Sequence, residues 1–102
     1  MKIVKVTYTS NPDFVNTNKA NIGIVMNDLR KLNHPGLKYA TYLDSDGKTF
    51  MHFAQFENDE AEKTLQGLES FKSFQRQLKE SGPEVPPQQS VMTLVVSCYD
   101  IF

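Results

Sequence analysis

Strand-like and helix-like segments alternate along this 102-residue chain in the order β-α-β-β-α-β. The strand-like segments are rich in β-branched and aromatic residues, and the helix-like segments carry apolar residues three and four positions apart. With antiparallel strands and both helices on one face, this order predicts an α+β fold, a ferredoxin-like sandwich with a four-stranded antiparallel sheet. No repeat or linker divides the sequence, so we expect one domain over residues 1–102.

The two middle strands are predicted at 37–43 and 49–56, around a turn that contains Asp46-Gly47. A loop of two residues and a loop of four residues place the same side chains together on each face of the hairpin. Tyr39 and His52 therefore share one face of the hairpin in either case.

The helical segments have recognisable ends. Asn11 to Asp13 supplies an N-cap and a proline at the first helical position, and Asn33 to Gly36 ends the first helix. Its first half is rich in poor helix formers, so we expect irregularity there. The second helical region begins after Asn58 and ends at Gly82, with Gly67 as a candidate break.

The last strand is predicted over Ser90–Phe102, after the Pro-rich connector Gly82–Pro87. Both of its alternating sets are apolar, and one face of the hairpin carries Tyr42, Met51 and Phe53. Because two helices cover only one face of such a sheet, the other face requires a partner. We therefore expect a homodimer, sheet against sheet across a two-fold axis.

Charge and cysteine content exclude several classes of protein. The 11 Lys and Arg nearly balance the 12 Asp and Glu, which leaves no field that attracts nucleic acid or an anionic membrane. The single cysteine, Cys98, excludes an intrachain disulfide framework and is expected to be a small buried hydrophobe. We expect no metal and no cofactor, because no metal-ligand spacing or phosphate-binding glycine loop occurs. Neither a signal segment nor a bilayer-spanning stretch is found, so we expect a cytoplasmic protein.

One known group of proteins shares three features with this chain: the order of elements, the helix stop His34-Pro35-Gly36, and a segment like LESFKSFQRQL at 68–78. Over nearly its whole length the chain resembles the antibiotic biosynthesis monooxygenase-like group of dimeric α+β barrel proteins. The resemblance implies a homodimer with a ligand pocket in each subunit, between sheet and helices. Some members are cofactor-independent monooxygenases of aromatic polyketides, and others degrade haem. The chain has no Trp, and no His in 58–82 where haem-degrading members carry their iron ligand, so haem degradation is not expected.

His52 is the best candidate for a catalytic residue, because an imidazole can take up a proton near neutral pH. A cofactor-independent oxygenase needs a base that deprotonates a phenolic substrate, so that the resulting anion reacts with dioxygen. The alternative is a structural histidine, hydrogen-bonded to a neighbouring tyrosine or lying in the dimer interface.

Six further residues are expected to line the pocket, some as hydrogen-bonding groups and others as walls: Tyr8, Asn18, Asn21, Tyr39, Phe71 and Phe74. Tyrosine and asparagine side chains would bind a carbonyl or hydroxyl of the ligand, and the phenylalanines would enclose its apolar part. The alternative interpretation makes the asparagines solvated helix residues and the phenylalanines ordinary core.

The sequence thus predicts a small pocket protein that oxidises or isomerises a small aromatic compound without a cofactor. Non-catalytic binding of an apolar metabolite needs the same pocket and stays open. An RNA-recognition module shares the element order, but Thr49, Phe50 and Met51 stand where that module has a cation, a glycine and an aromatic residue. We therefore expect no nucleic-acid partner.

Overall fold

The computed structural model describes residues 1–102 and has the predicted order of elements, with the second helical region in two parts. The strands and helices are β1 (Lys2–Thr9), α1 (Val15–Leu32), β2 (Leu37–Leu43), β3 (Thr49–Phe56), α2 (Asp59–Gly67), α3 (Glu69–Ser81) and β4 (Val85–Met92). The break predicted at Gly67 is confirmed, because the extended backbone of Leu68 separates α2 from α3.

The strands form one antiparallel sheet in the order β2-β3-β1-β4, which confirms the ferredoxin-like sandwich. His52 lies opposite Thr41 on one side and opposite Val6 on the other, as the predicted hairpin parity requires. The hairpin turn is fixed by Gly47, whose φ is +76°, and by the Asp46 carboxylate, which accepts hydrogen bonds from two backbone amides.

The first helix is more regular than its composition suggests. Asn11 caps a short 3-10 turn over Pro12–Phe14, and α1 then runs unbroken to Leu32, so the irregularity expected in its asparagine-rich half is absent. Tertiary contacts explain this, because Asn18 is fully buried and hydrogen-bonded to the sheet.

The predicted position of the last strand is wrong. β4 begins at Val85, inside the supposed connector, and ends at Met92, so that 93–102 form no strand. β4 pairs with β1 alone and is an edge strand. An edge position tolerates Pro86 and Pro87, which cannot donate to a ladder, and the register shifts beside them.

The β1–β4 ladder stops at the N-terminal end of β1, where Met92 lies opposite Ile3. The tail after Met92 leaves the sheet, and Cys98 is exposed there instead of buried as expected.

The core lies between the helices and the face of the sheet that they cover, called here the inner face. It has two clusters, of which one joins the sheet to α2 (Val4, Ala54, Phe56, Ala61, Leu65) and the other joins it to α1 and α3 (Tyr8, Val25, Phe50, Phe74, Leu78). Val6, Leu29 and Phe71 contact both clusters. The candidate site lies at this junction.

The opposite, outer face of the sheet carries an apolar depression of about 730 Å³. Tyr42 is 57% exposed there and meets Phe53 edge to face, with ring centroids 5.7 Å apart. The tail covers part of this face, since Tyr99 borders the depression and the ring of Phe102 lies 5.4 Å from Lys38 Nζ. None of the helices combines the length and hydropathy of a membrane span.

Candidate active site

A cavity of about 400 Å³ lies between the inner face of the sheet and α3, and we call it the inner cavity. Its residues come from the sheet, from α3 and from the segment that leads into β4: Val6, Tyr8, Tyr39, His52, Phe71, Phe74, Gln75, Leu78, Lys79, Pro83, Pro86 and Pro87. Lys79 is the one charged side chain among them.

The local structure explains why these side chains meet. Tyr39 and His52 project from the same face of neighbouring strands, because side chains alternate along a strand. On α3, Phe71, Phe74 and Leu78 follow each other at spacings of three and four, which places them on one side of the helix above the sheet.

His52 is enclosed, with only 4% of its surface exposed, and both of its ring nitrogens have partners. Nε2 lies 2.8 Å from Tyr8 Oη. Nδ1 lies 2.7 Å from Tyr39 Oη and 3.1 Å from Thr41 Oγ1. The imidazole is therefore held between two phenols.

Burial sets the protonation states of these rings. Desolvation lowers the pKa of His52 from 6.5 to about 4, so the imidazole is neutral at pH 7. Desolvation also raises the pKa of the phenols of Tyr8 and Tyr39 well above 10, although the hydrogen bond from Asn18 acts in the opposite direction on Tyr8. All three rings are uncharged at neutral pH.

Asn18 extends this arrangement into α1. Its Nδ2 donates to Tyr8 Oη over 2.8 Å, and its Oδ1 is buried without a hydrogen-bond partner. Asn18 does not line the inner cavity but reaches it through Tyr8. These contacts form one continuous series, the Asn18–Tyr8–His52–Tyr39 chain.

Aromatic rings enclose the cavity end of the chain. The Phe74 ring lies 5.4 Å from the His52 ring, and the Phe71 ring meets Tyr39 edge to face at 6.3 Å. Such contacts hold the rings in place and leave apolar faces toward a ligand.

Asn21 differs from the expectation, because it lies outside the inner cavity. Its Nδ2 donates to Gln77 Oε1 over 3.0 Å, which joins α1 to α3. Asn21 follows Asn18 by three residues, so its side chain is turned by about 60° around the helix axis relative to that of Asn18. This rotation directs it toward the neighbouring helix.

Sequence reasoning overlooked the proline wall and a second, smaller cavity. Pro83, Pro86 and Pro87 close the side of the inner cavity next to β4, although the sequence suggested only a connector. A side chamber of about 130 Å³ shares Tyr39 and His52 with the inner cavity and adds the polar side chains Glu62, Gln66 and Gln89. Nowhere do three His, Cys, Asp or Glu side chains converge as a metal site would require.

Comparisons with known proteins bear on the fold. No family model matches the sequence, and no curated protein matches it either. Among solved structures, Rv0793 from Mycobacterium tuberculosis superposes with a TM-score of 0.79 at 17% identity, covering 96% of this chain and 98% of that one.

Two further structures carry a functional description. One described as an antibiotic biosynthesis monooxygenase has a TM-score of 0.75 at 13% identity, over 94% of this chain and 100% of the other. SnoaB, a cofactor-independent oxygenase from Streptomyces nogalater, has a TM-score of 0.70 at 10% identity, over 97% and 98%. At these identities the likeness establishes the fold, and the chain has the fold of the antibiotic biosynthesis monooxygenases.

Proposed function

We propose that this protein is a cofactor-independent monooxygenase of a small aromatic compound that carries a phenolic or carbonyl oxygen. The observation that carries the proposal is the Asn18–Tyr8–His52–Tyr39 chain, which ends inside an aromatic cavity. Buried polar groups at the end of an apolar pocket fix the orientation of a ligand. The likeness in fold to SnoaB supports this chemistry without establishing it.

The walls of the cavity favour a planar ligand. Phe71 and Phe74 offer apolar faces opposite the sheet, and about 400 Å³ accommodates a fused-ring compound. Lys79 gives the cavity a positive side, which favours a substrate that binds as a phenolate or enolate.

The chemistry requires an anion that can react with dioxygen. The substrate gives its phenolic proton to water and binds as the phenolate, whose charge is delocalised onto a ring carbon. This carbanion passes one electron to dioxygen. The two radicals then form a carbon–oxygen bond, and protonation gives a hydroperoxide. Loss of water leaves a carbonyl, so that a ring methylene and one dioxygen become a ketone and one water.

Within this scheme Tyr39 contacts the substrate oxygen, and His52 acts through Tyr39. Both nitrogens of His52 are already hydrogen-bonded, and its pKa of about 4 makes it a weak base at neutral pH. We therefore replace the expected role of His52 as general base with that of a positioning residue. Tyr39 stabilises the charge that develops on the substrate oxygen.

The test is dioxygen uptake with a panel of anthrones and naphthalenediols, in the presence of a metal chelator. Tyr39→Phe should lower kcat by roughly 100-fold, because it removes one hydrogen-bond donor from the developing anion. Tyr99→Phe, the same change at an exposed tyrosine of the tail, should leave kcat unchanged. Equal rates for Tyr39→Phe and the wild type would refute the role of Tyr39.

A binding protein without catalysis is the second candidate. The complete pairing of His52 within the protein favours it, since no unpaired base faces the cavity. In this case the same compounds bind, and no dioxygen is consumed above the uncatalysed rate.

A homodimer remains part of the proposal. The apolar outer face, with Tyr42 and Phe53 exposed or half-buried, supports a partner on that side of the sheet.

A further inference from the structure

The direction of the Asn18–Tyr8–His52–Tyr39 chain follows from the donors and acceptors that its members hold. Asn18 Nδ2 donates to Tyr8 Oη, and Asn18 Oδ1 is buried without a partner. The flipped amide would instead bury an NH₂ group with neither proton bonded. Buried N–H groups without a partner are rarer than under-satisfied carbonyl oxygens, so the first orientation is favoured. Tyr8 Oη therefore accepts from Asn18.

The next two links follow from this. Because the Tyr8 oxygen accepts a hydrogen bond from Asn18, the Tyr8 hydroxyl can donate its own hydrogen bond to His52 Nε2, 2.8 Å away. A neutral imidazole has one donor and one acceptor nitrogen, so an Nε2 that accepts requires the proton on Nδ1. The Nδ1–H then donates to Tyr39 Oη at 2.7 Å, with Thr41 Oγ1 farther away at 3.1 Å.

The last link is at the cavity. Tyr39 Oη accepts a hydrogen bond from His52 Nδ1–H and makes no other hydrogen bond within the protein. Its own hydroxyl proton is thus unused, and Tyr39 borders both the inner cavity and the side chamber.

We infer that Tyr39 offers the ligand a hydrogen-bond donor, so that the inner cavity selects compounds with an acceptor oxygen, and that Asn18 and Tyr8 are positioning residues that set this polarity. The inference rests on the proposed function for the location of the ligand in the inner cavity. It narrows the substrate class to aromatic ketones and phenolates, in preference to compounds of the same shape that only donate.

The first test needs no ligand. A long-range ¹H–¹⁵N correlation spectrum of the wild-type protein at pH 7 reports which nitrogen of His52 carries the proton. We expect protonated Nδ1 and unprotonated Nε2. A proton on Nε2 would mean that His52 donates to Tyr8 and accepts from Tyr39, which would overturn the inference. In Tyr8→Phe, where Nε2 loses its donor, the spectrum should show a mixture of the two tautomers, whereas Tyr99→Phe should give the wild-type spectrum.

The second test uses three bicyclic probes of similar shape: 1-indanone, which only accepts, indole, which only donates through its N–H, and indane, which does neither. Calorimetry should give 1-indanone roughly fivefold tighter binding than indane, as expected for one neutral hydrogen bond. Indole should bind no tighter than indane. Tyr39→Phe should bring 1-indanone to the affinity of indane, and a preference for indole in the wild type would contradict the inference.

The outcomes separate this inference from the proposed function. A clear preference for 1-indanone, together with no dioxygen uptake on any substrate, would remove the oxygenase and retain the polarity of the site. If none of the three probes binds, the ligand selectivity inferred here is overturned together with the proposed site.

Discussion

Single side chains at the junction of the two core clusters determine what this site can do. The rings around His52 exclude water and lower the basicity of its imidazole, so we propose Tyr39, and not His52, as the group that contacts a ligand. A residue chosen from the sequence as a base is thus part of the support for a neighbouring phenol. Its enclosure has a consequence for stability as well as for chemistry.

The stability of the protein should depend on the protonation of His52. The pKa of His52 is about 4 in the folded protein and 6.5 when unperturbed, so between these values the unfolded chain binds more protons. The contribution is complete above pH 6.5 and declines as the pH falls toward 4. From pH 7 to pH 5 the wild type should lose about 2 kcal/mol of unfolding free energy through this group.

Urea unfolding at the two pH values measures this loss, with His52→Gln as the matched control. Glutamine does not titrate, so the variant should lose about 2 kcal/mol less than the wild type over the same interval. Identical pH dependences for the two proteins would contradict the assignment of a depressed pKa to His52.

Part of this site is predictable at the level of residues. The period of two along β2 and β3 is enough to bring Tyr39 to His52. The contact of Asn18 with Tyr8 depends on how α1 crosses β1, which no local pattern encodes. For the same reason Asn18 and Asn21, similar in sequence context, have different partners.

At the scale of elements, the ends of helices are where local chemistry decides the structure. Asn58 accepts from the amide of Ala61 at the start of α2, and Asn33 ends α1 in the left-handed conformation. Gly82 does the same for α3, with a φ of +68°. The segment that carries Pro83, Pro86 and Pro87, which line the inner cavity, begins directly after Gly82.

Two glycine substitutions should change stability in opposite directions. Gly82→Ala forces a side chain into the left-handed region and should lower the unfolding free energy by about 1 kcal/mol. Gly23→Ala, inside α1 and with nothing beyond the adjoining helix backbone within 4 Å of the new Cβ, should raise it by up to about 1 kcal/mol. Thermal unfolding followed by circular dichroism compares the two variants with the wild type, and a stabilised Gly82→Ala would contradict the capping role.

The one element that sequence reasoning misplaced is β4. Two consecutive prolines count against a strand at any interior position, so the sequence favours a connector there. Only the sheet order makes β4 an edge strand, and sheet order is a property of the whole fold. The apolar character of the tail then suggested a strand where no pairing partner exists.

At the scale of the whole molecule, the two faces of the sheet differ in how they are covered. The helices close the inner face over β1, β2 and β3, whereas β4 is exposed along nearly all of its length. The outer face has only the tail against it, and Val95 and Val96 of that tail are themselves exposed. A monomer with this surface leaves considerable apolar area in water.

We expect native mass spectrometry to give twice the chain mass of 11.6 kDa. Tyr42→Glu, which places a charge in the outer-face depression, should give the monomer because a buried unpaired carboxylate is costly. Ile24→Glu makes the same kind of change at an exposed residue of α1 and should leave the dimer intact. A dimer that survives Tyr42→Glu would move the interface away from the outer face.

The proline wall of the inner cavity determines how ligand binding should appear in a calorimeter. Pro83, Pro86 and Pro87 have fixed φ angles, so this side of the cavity is ordered before any ligand arrives. Binding then removes little backbone entropy, whereas closing a flexible loop over a ligand usually costs much more. The thermodynamic signature should be that of a rigid apolar container, with a negative heat-capacity change from the buried surface and a favourable enthalpy near room temperature.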